Sequence, residues 1–273
     1  MNTPTDPDPP FRPCGLITLT TDFGTTDGYV GAMKGRILNH ASHLRIEDLA
    51  HEIPPQNVIH GASTLLAAAP YWPSGTVHIV VVDPGVGTTR EPLAAIAGGQ
   101  CFVAPNNGVL VPVLELLGGA VCREIRRNRE TEAFLPAALA PTFHGRDLFT
   151  PIGAALASGA LALSLTGPLC YLQPLPLAKP SRVGSSLEGE ILLFDHFGNA
   201  ITNLREEDLP QGSPLQVSAG GCSLFLHKTY GEVAQGAPLA LIGSSGYLEI
   251  AVRDGHAGQI LGLRIADRVQ IED

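Results

Sequence analysis

Two domains of different class are predicted from these 273 residues: an N-terminal α/β sandwich domain with a mixed or parallel sheet, and a smaller C-terminal β-barrel. Two observations carry this. Up to about residue 180, short apolar runs rich in β-branched residues alternate with amphipathic segments of helical spacing, the signature of an α/β layer. Beyond a Pro-rich connection, QPLPLAKPSR (173–182), the helical period fades and short runs follow one another between turn signals, as in a small barrel. The expected division is a loose, disordered tail over 1–14, the α/β domain over 15–180 and the barrel over 185–273.

The elements follow in order. The tail, MNTPTDPDPPFRPC, is rich in Pro and Asp and lacks the basic start and apolar run of a signal peptide. LITLT (16–20) and VHIVVV (77–82) are short, β-branched and bounded by turn residues, so both predict buried strands, and each is followed within two residues by an aspartate. Between them Val30, Met33, Ile37 and Leu38 repeat at helical spacing behind an expected N-cap at Asp27, and Val58, Ala62, Leu65, Leu66 and Ala69 do so after Pro55. CFVA (101–104) predicts a third strand, and 147–158 a further helix. The uncharged stretch from Leu148 to Ala178 is interrupted by Ser158, Gly159, Ser164, Thr166, Gly167 and Pro168, so a buried Ala-rich helix fits it better than a span of about 20 apolar residues. In the second half GEILLF, NAITNL, PLQV, CSLFLH, PLALIG, GYLEIAV and QILGLRI are the expected strands.

Composition narrows the partners. A hydrophobic fraction of 44% with 16% charged residues suits a globular chain, and a formal charge of -9 leaves no basic surplus to neutralise nucleic-acid phosphates. A small or cationic ligand fits better. The five cysteines are scattered, odd in number and without a Cys-x-x-Cys pair, which points away from a disulfide framework or zinc site and toward a reducing cytoplasm.

In open α/β sheets ligands collect beyond the carboxyl ends of the strands. TTDFG (20–24), VVDPGVGTTR (81–90), APNNG (104–108) and TFHGRD (142–147) are expected there. Asp22 can accept hydrogen bonds from two neighbouring hydroxyls, as a ribose diol offers, or equally close an Asx turn. The Asp83–Arg90 loop can fold back so that carboxylate and guanidinium meet, as a structural pair or a reactive one; it lacks the Gly-Lys-Ser/Thr ending of a phosphate loop. His144 has an ordinary pKa of about 6.5 and suits a proton acceptor or a packed ring. No ligand spacing joins it to Asp147 or to the His51-Glu52 pair, so no metal is expected. Asp195 and Asn199 lie at a strand-to-turn junction, and Gly243–Tyr247 is a flexible loop able to present backbone groups to a flat heterocycle.

LTTDFGTTDGYVGAMKG, DLAHEIPPQNVIHGA, AAPYWPSGTVHIVVVDPGVGTTR, FVAPNNGVL, TFHGRDLF, FDHFGNAITNL and SSGYLEIAVRDGHA, in this order, resemble the S-adenosyl-L-methionine hydroxide adenosyltransferase family, adenosine-forming hydrolases related to fluorinating and chlorinating enzymes. The resemblance runs from about Leu16 through nearly the whole chain. It implies a homotrimer whose site lies between the N-terminal domain of one subunit and the C-terminal domain of the next, with S-adenosyl-L-methionine as substrate and no separate cofactor.

By that resemblance Asp83, Arg90 and His144 are the catalytic group. Asp22 holds the ribose hydroxyls, Gln56 and Phe143 line the pocket, Asp195 and Asn199 take the methionine amino-acid end, and Ser244 and Ser245 the adenine. The fluorinating relatives differ at the positions of Asp83 and His144 and carry serine where this chain has Gly145, so hydrolysis is expected before halide transfer. Asn106 departs from the aspartate more usual in the family. The alternatives to a hydrolase are a 5′-chloro-5′-deoxyadenosine-forming halogenase and a non-catalytic binder of S-adenosylmethionine or adenosine.

Overall fold

The computed structural model describes residues 8–210 and 215–272. The chain divides into two compact units, Met1–Leu175 and Pro176–Asp273. Of the tail expected over 1–14, residues 1–7 lie outside the described residues, and 8–14 are anchored rather than loose. Asp8 pairs with Arg123 at 2.8 Å, Cys14 N donates to Gly75 O at 3.0 Å, and Phe11 joins the edge of the core. A Pro- and Asp-rich composition carries no sign of such distant partners.

The first unit contains β1 (Leu16–Thr21), α1 (Tyr29–His40), β2 (Arg45–Ala50), α2 (Val58–Ala68), β3 (Val77–Val81), β4 (Pro92–Ala97), β5 (Gln100–Pro105), α3 (Val111–Leu116), β6 (Val121–Glu124), α4 (Arg129–Glu132) and α5 (Thr150–Ala157). Its sheet has the order β2-β1-β3-β5-β4-β6, with β4 antiparallel to both neighbours and the β1, β2, β3 and β5 pairings parallel. The sheet is therefore mixed. From β1 the chain goes to one side to form β2 and then crosses to the other to form β3, which makes the carboxyl ends of β1 and β3 a topological switch point.

Alternation along β3 sends Val77, Ile79 and Val81 to one face, where they pack with Met33 and Ile37 of α1 and Ile152 and Leu156 of α5. A methyl group at Gly153 would overlap Ile79, so this glycine lets α5 lie close on the sheet. The opposite face of β3 carries His78, which bonds Thr18 Oγ1 at 2.6 Å and stacks on Phe102 at 4.8 Å. Helix α1 starts one residue later than expected, behind Gly28 with no side-chain cap, whereas Asn57 caps α2 through His60 N. The expected helix over 147–158 opens with a wide π-type turn, Gly145–Phe149, before α5.

The second unit is a barrel of β7 (Ser181–Val183), β8 (Ser186–Phe194), β9 (Ala200–Arg205), β10 (Gln216–Ala219), β11 (Cys222–His227), β12 (Pro238–Ile242), β13 (Tyr247–Val252), α6 (Ala257–Ile260) and β14 (Arg268–Glu272). The order β14-β10-β11-β12-β13-β9-β8 closes through β14 against β8, and β7 flanks β8. Closure removes the sheet edges. Leu187, Ile191, Leu204, Val217, Leu248, Ile250, Val269 and Ile271 fill its interior. QILGLRI is not a strand: its first residues end the short helix α6, and β14 begins only at Arg268. No helix among the described residues is long and apolar enough to cross a membrane.

Candidate active site

The parallel register Thr21↔Val81 brings Asp22 and Asp83 together at the ends of β1 and β3. Asp22 Oδ2 accepts a 2.7 Å bond from Gln56 N, a residue held at a φ of 65° that non-glycine residues seldom adopt. Burial raises the Asp22 pKa above the ordinary carboxyl value, and the nearby Asp83 charge adds to this against the lowering by its backbone hydrogen bonds. Phe23, Tyr29 and Phe143 meet edge to face, with ring centres 5.4–5.9 Å apart.

The Asp83–Arg90 loop turns twice on itself through Val86 N→Asp83 O and Thr88 N→Gly85 O, and the Thr88 hydroxyl accepts from Arg90 N at 3.3 Å. That fold-back brings the guanidinium onto the carboxylate. Arg90 Nε lies 3.0 Å from both Asp83 oxygens and Nη2 also donates to Oδ2, with the two side chains only 10% and 5% exposed. The remaining bond of Arg90 Nη2, at 2.9 Å, reaches His144 Nδ1. Phe149 lies under the guanidinium at 5.1 Å. Burial lowers the His144 pKa, and the Arg90 charge lowers it further against opposing pulls from Asp83 and Asp147. The imidazole is therefore neutral near pH 7.

Asp22, Gln56, Asp83, Phe143 and His144 line one concavity of about 300 Å³ together with Phe23, Tyr29 and Val86. Sequence reasoning missed these last three, although Phe23 is part of the TDFG turn and Val86 of the Asp83–Arg90 loop. His51 and Glu52, weighed as ligands, are otherwise engaged: His51 Nδ1 bonds Thr21 Oγ1 at 2.8 Å and Glu52 accepts from Thr25 at 2.6 Å. No group of three or more His, Cys, Asp or Glu among the described residues could hold a metal ion. Asn106 binds the connecting chain, donating to Tyr171 O at 2.9 Å and accepting from Gln173 N at 2.8 Å. An aspartate there would keep only the second bond.

Asp195, Asn199 and Ser244 line a larger concavity, about 970 Å³, on the barrel. Asp195 Oδ1 accepts from the Phe197 and Asn199 amides at 2.9 and 2.8 Å, closing the β8–β9 turn, and Oδ2 accepts from Asn199 Nδ2 at 2.9 Å. Ser245 shares the Gly243–Gly246 turn but is not among the lining residues. Tyr230, Glu249 and Lys228 do line it and were missed. Lys228 and Tyr230 lie outside the seven motifs, and Glu249 lies within SSGYLEIAVRDGHA in a run whose pattern predicts only a strand.

The chain matches the S-adenosylmethionine hydroxide adenosyltransferase N-terminal domain over residues 17–167 and the C-terminal domain of the same family over 189–270. It belongs to that family. Curated proteins named (R)-S-adenosyl-L-methionine hydrolase are similar to it: one from Thermus thermophilus is 42% identical, covering 91% of this chain and 96% of that protein. Another from Salinispora tropica is 37% identical, covering 96% and 99%. Fluorinases match more distantly, at 26–30% identity. A solved structure of an uncharacterized conserved protein from Thermotoga maritima superposes with a TM-score of 0.83 at 35% identity, covering 94% of this chain and all of that one.

Proposed function

We propose that the chain hydrolyses S-adenosyl-L-methionine, water attacking ribose C5′ to give adenosine and L-methionine, with Asp83, Arg90 and His144 as the catalytic group. The observation that carries this is the partly buried carboxylate–guanidinium–imidazole array at the β1/β3 switch point of a member of this family. Its curated relatives are named (R)-S-adenosyl-L-methionine hydrolase. Residues 15–180 and 185–273 serve as the two domains of a homotrimer. The presence of a polar concavity on each unit supports a site shared between neighbouring subunits.

The sulfonium departs as a neutral thioether and needs no general acid. The difficulty is the nucleophile, because free water has a pKa of about 15.7. Arg90, unable to rotate while Asp83 holds its Nε and Nη2, presents fixed positive charge to an oxygen gaining hydroxide character. With Nδ1 accepting from Arg90, the neutral His144 carries its proton on Nε2. That tautomer favours orienting the water through Nε2–H over taking its proton. The proton is released to solvent as the C–O bond forms. Asp22 accepts from the ribose hydroxyls, beside Gln56 and Phe143. Asp195 and Asn199 receive the amino-acid end, and the Ser244-Ser245 turn the adenine. Holding water and C5′ in line removes much of the entropic barrier.

No metal takes part, so exhaustive chelation leaves the rate unchanged. Five free thiols suit a reducing, cytoplasmic setting. The deciding experiment incubates chelated protein with both resolved sulfonium epimers in oxygen-18 water containing chloride. Labelled adenosine plus methionine is the expected result. Chlorodeoxyadenosine would assign a halogenase, and bound but unchanged substrate would assign a binder.

A further inference from the structure

The barrel concavity contains a hydrogen-bond chain that the reaction as described does not use. Asn199 is 6% exposed, and its amide nitrogen has two hydrogens: one goes to Asp195 Oδ2 at 2.9 Å and the other to the Tyr230 oxygen at 3.2 Å. Because the phenol oxygen accepts from Asn199, its own hydrogen is directed to Glu249 Oε2 at 3.0 Å. Partial burial, followed by the Glu249 and Asp195 charges, pushes the phenol pKa up, so it remains a donor. Glu249 is 7% exposed, and burial and the Asp195 charge raise its pKa against the pull of the Tyr230 bond. A side chain at Gly243 would overlap the Glu249 carboxyl, so that end of the chain is packed directly on the Ser244 turn.

This wiring fixes which way the Asn199 amide faces. Both of its hydrogens are committed, so its Oδ1 is an acceptor with no partner among the described residues, on a side chain lining the concavity. With the Asp195 carboxylate it forms a corner that can only accept hydrogen bonds. The matching ligand chemistry is an ammonium group, which has three N–H donors and no acceptor.

We infer that Tyr230 and Glu249 are positioning residues which, through Asn199, hold the acceptors that receive the α-ammonium of the substrate's amino-acid end. This rests on the hydrolase assignment above. Without the Tyr230 hydroxyl the amide loses one of its two anchors and can flip, turning a donor toward the ammonium. The ring itself, 40% exposed, is retained in Tyr230→Phe.

The test uses the full chain carrying Tyr230→Phe, Glu249→Gln or Glu249→Leu. For each variant kcat and KM are measured with S-adenosylmethionine, and Kd with S-adenosylhomocysteine and with 5′-methylthioadenosine, which lacks the amino-acid end. For Tyr230→Phe, KM should rise about tenfold with kcat within about twofold, as expected for one lost hydrogen bond near a charge. The S-adenosylhomocysteine Kd should rise by a like factor and the 5′-methylthioadenosine Kd should stay put. Glu249→Gln, which still offers an acceptor to the phenol, should lose less than Glu249→Leu. Equal weakening of both nucleosides, or of neither, would overturn the positioning role. Failure of the hydrolase assignment looks different: the unmutated protein would neither turn over the sulfonium nor prefer S-adenosylhomocysteine, and the positioning role would fall with it.

Discussion

The two concavities are built on opposite plans. On the α/β unit about 300 Å³ is bounded by Asp22 and Asp83 at the strand ends and by His144, and Arg90, which does not itself line the concavity, pairs with Asp83 behind it, the two side chains 10% and 5% exposed. On the barrel about 970 Å³ is bounded mainly by turns, and its polar centre is a relay of amide, phenol and carboxyl groups. Under the proposed assignment the contrast is a division of labour. Chemistry at C5′ would need charge fixed closely in place, whereas recognition of a flexible amino-acid end would be served by hydrogen-bond direction.

That comparison breaks most visibly through rate. Asp83→Asn or His144→Ala should lower kcat by roughly 10²–10⁴-fold while S-adenosylhomocysteine still binds, measured by single-turnover kinetics beside calorimetry. Asp195→Ala should instead act mainly on KM. Equal kcat losses at both concavities would erase the division. Next in size is Arg90→Met, which leaves the buried Asp83 carboxylate without its partner and should cost about 3–5 kcal/mol in denaturant unfolding. An exposed pair such as Arg45–Glu47 should contribute less than about 1 kcal/mol when broken.

Gly153→Ala forces a methyl group against Ile79 and should destabilise the α/β unit by about 1–3 kcal/mol, read as a lower melting temperature. The smallest effect concerns pH. His144 has its pKa lowered, so the folded protein keeps it neutral where an unfolded chain would begin to bind a proton. The contribution to stability and to rate is therefore present above the ordinary histidine value of about 6.5 and is lost as pH falls through the lowered one. Between pH 7 and 8 kcat should change by less than about twofold, with the acid limb lying below 6.5. An acid limb centred above 6.5 would remove His144 from that role.

Much of the α/β site was legible because it is local. An apolar β-branched run closely followed by an aspartate predicts a strand end with a carboxylate, and β1 and β3 are followed in that way by Asp22 and Asp83. A loop with Gly85 and Gly87 between Asp83 and Arg90 predicts a fold-back, and the two side chains meet. The hairpin of β4 and β5 also has a local signal, Gly98-Gly99, both at positive φ between apolar runs. The strand β2, RIEDLA, had almost none, because an edge strand with few buried side chains shows no alternation.

The sequence by itself determined the two fold classes, the strand-end carboxylates and the ordered motifs of the family, since each is written in residues a few positions apart. Only the tertiary structure decided that β14 closes the barrel on β8, that residues 8–14 are anchored through Asp8 on Arg123, and that Tyr230 and Glu249 join Asn199 and Asp195. Apart from the local Asn199–Asp195 bond, these contacts link residues 19 to 115 positions apart, and the relay depends on which lone pair faces which hydrogen. Local periodicity reports which face of an element is apolar. It does not report which distant polar group will be waiting at the end of it.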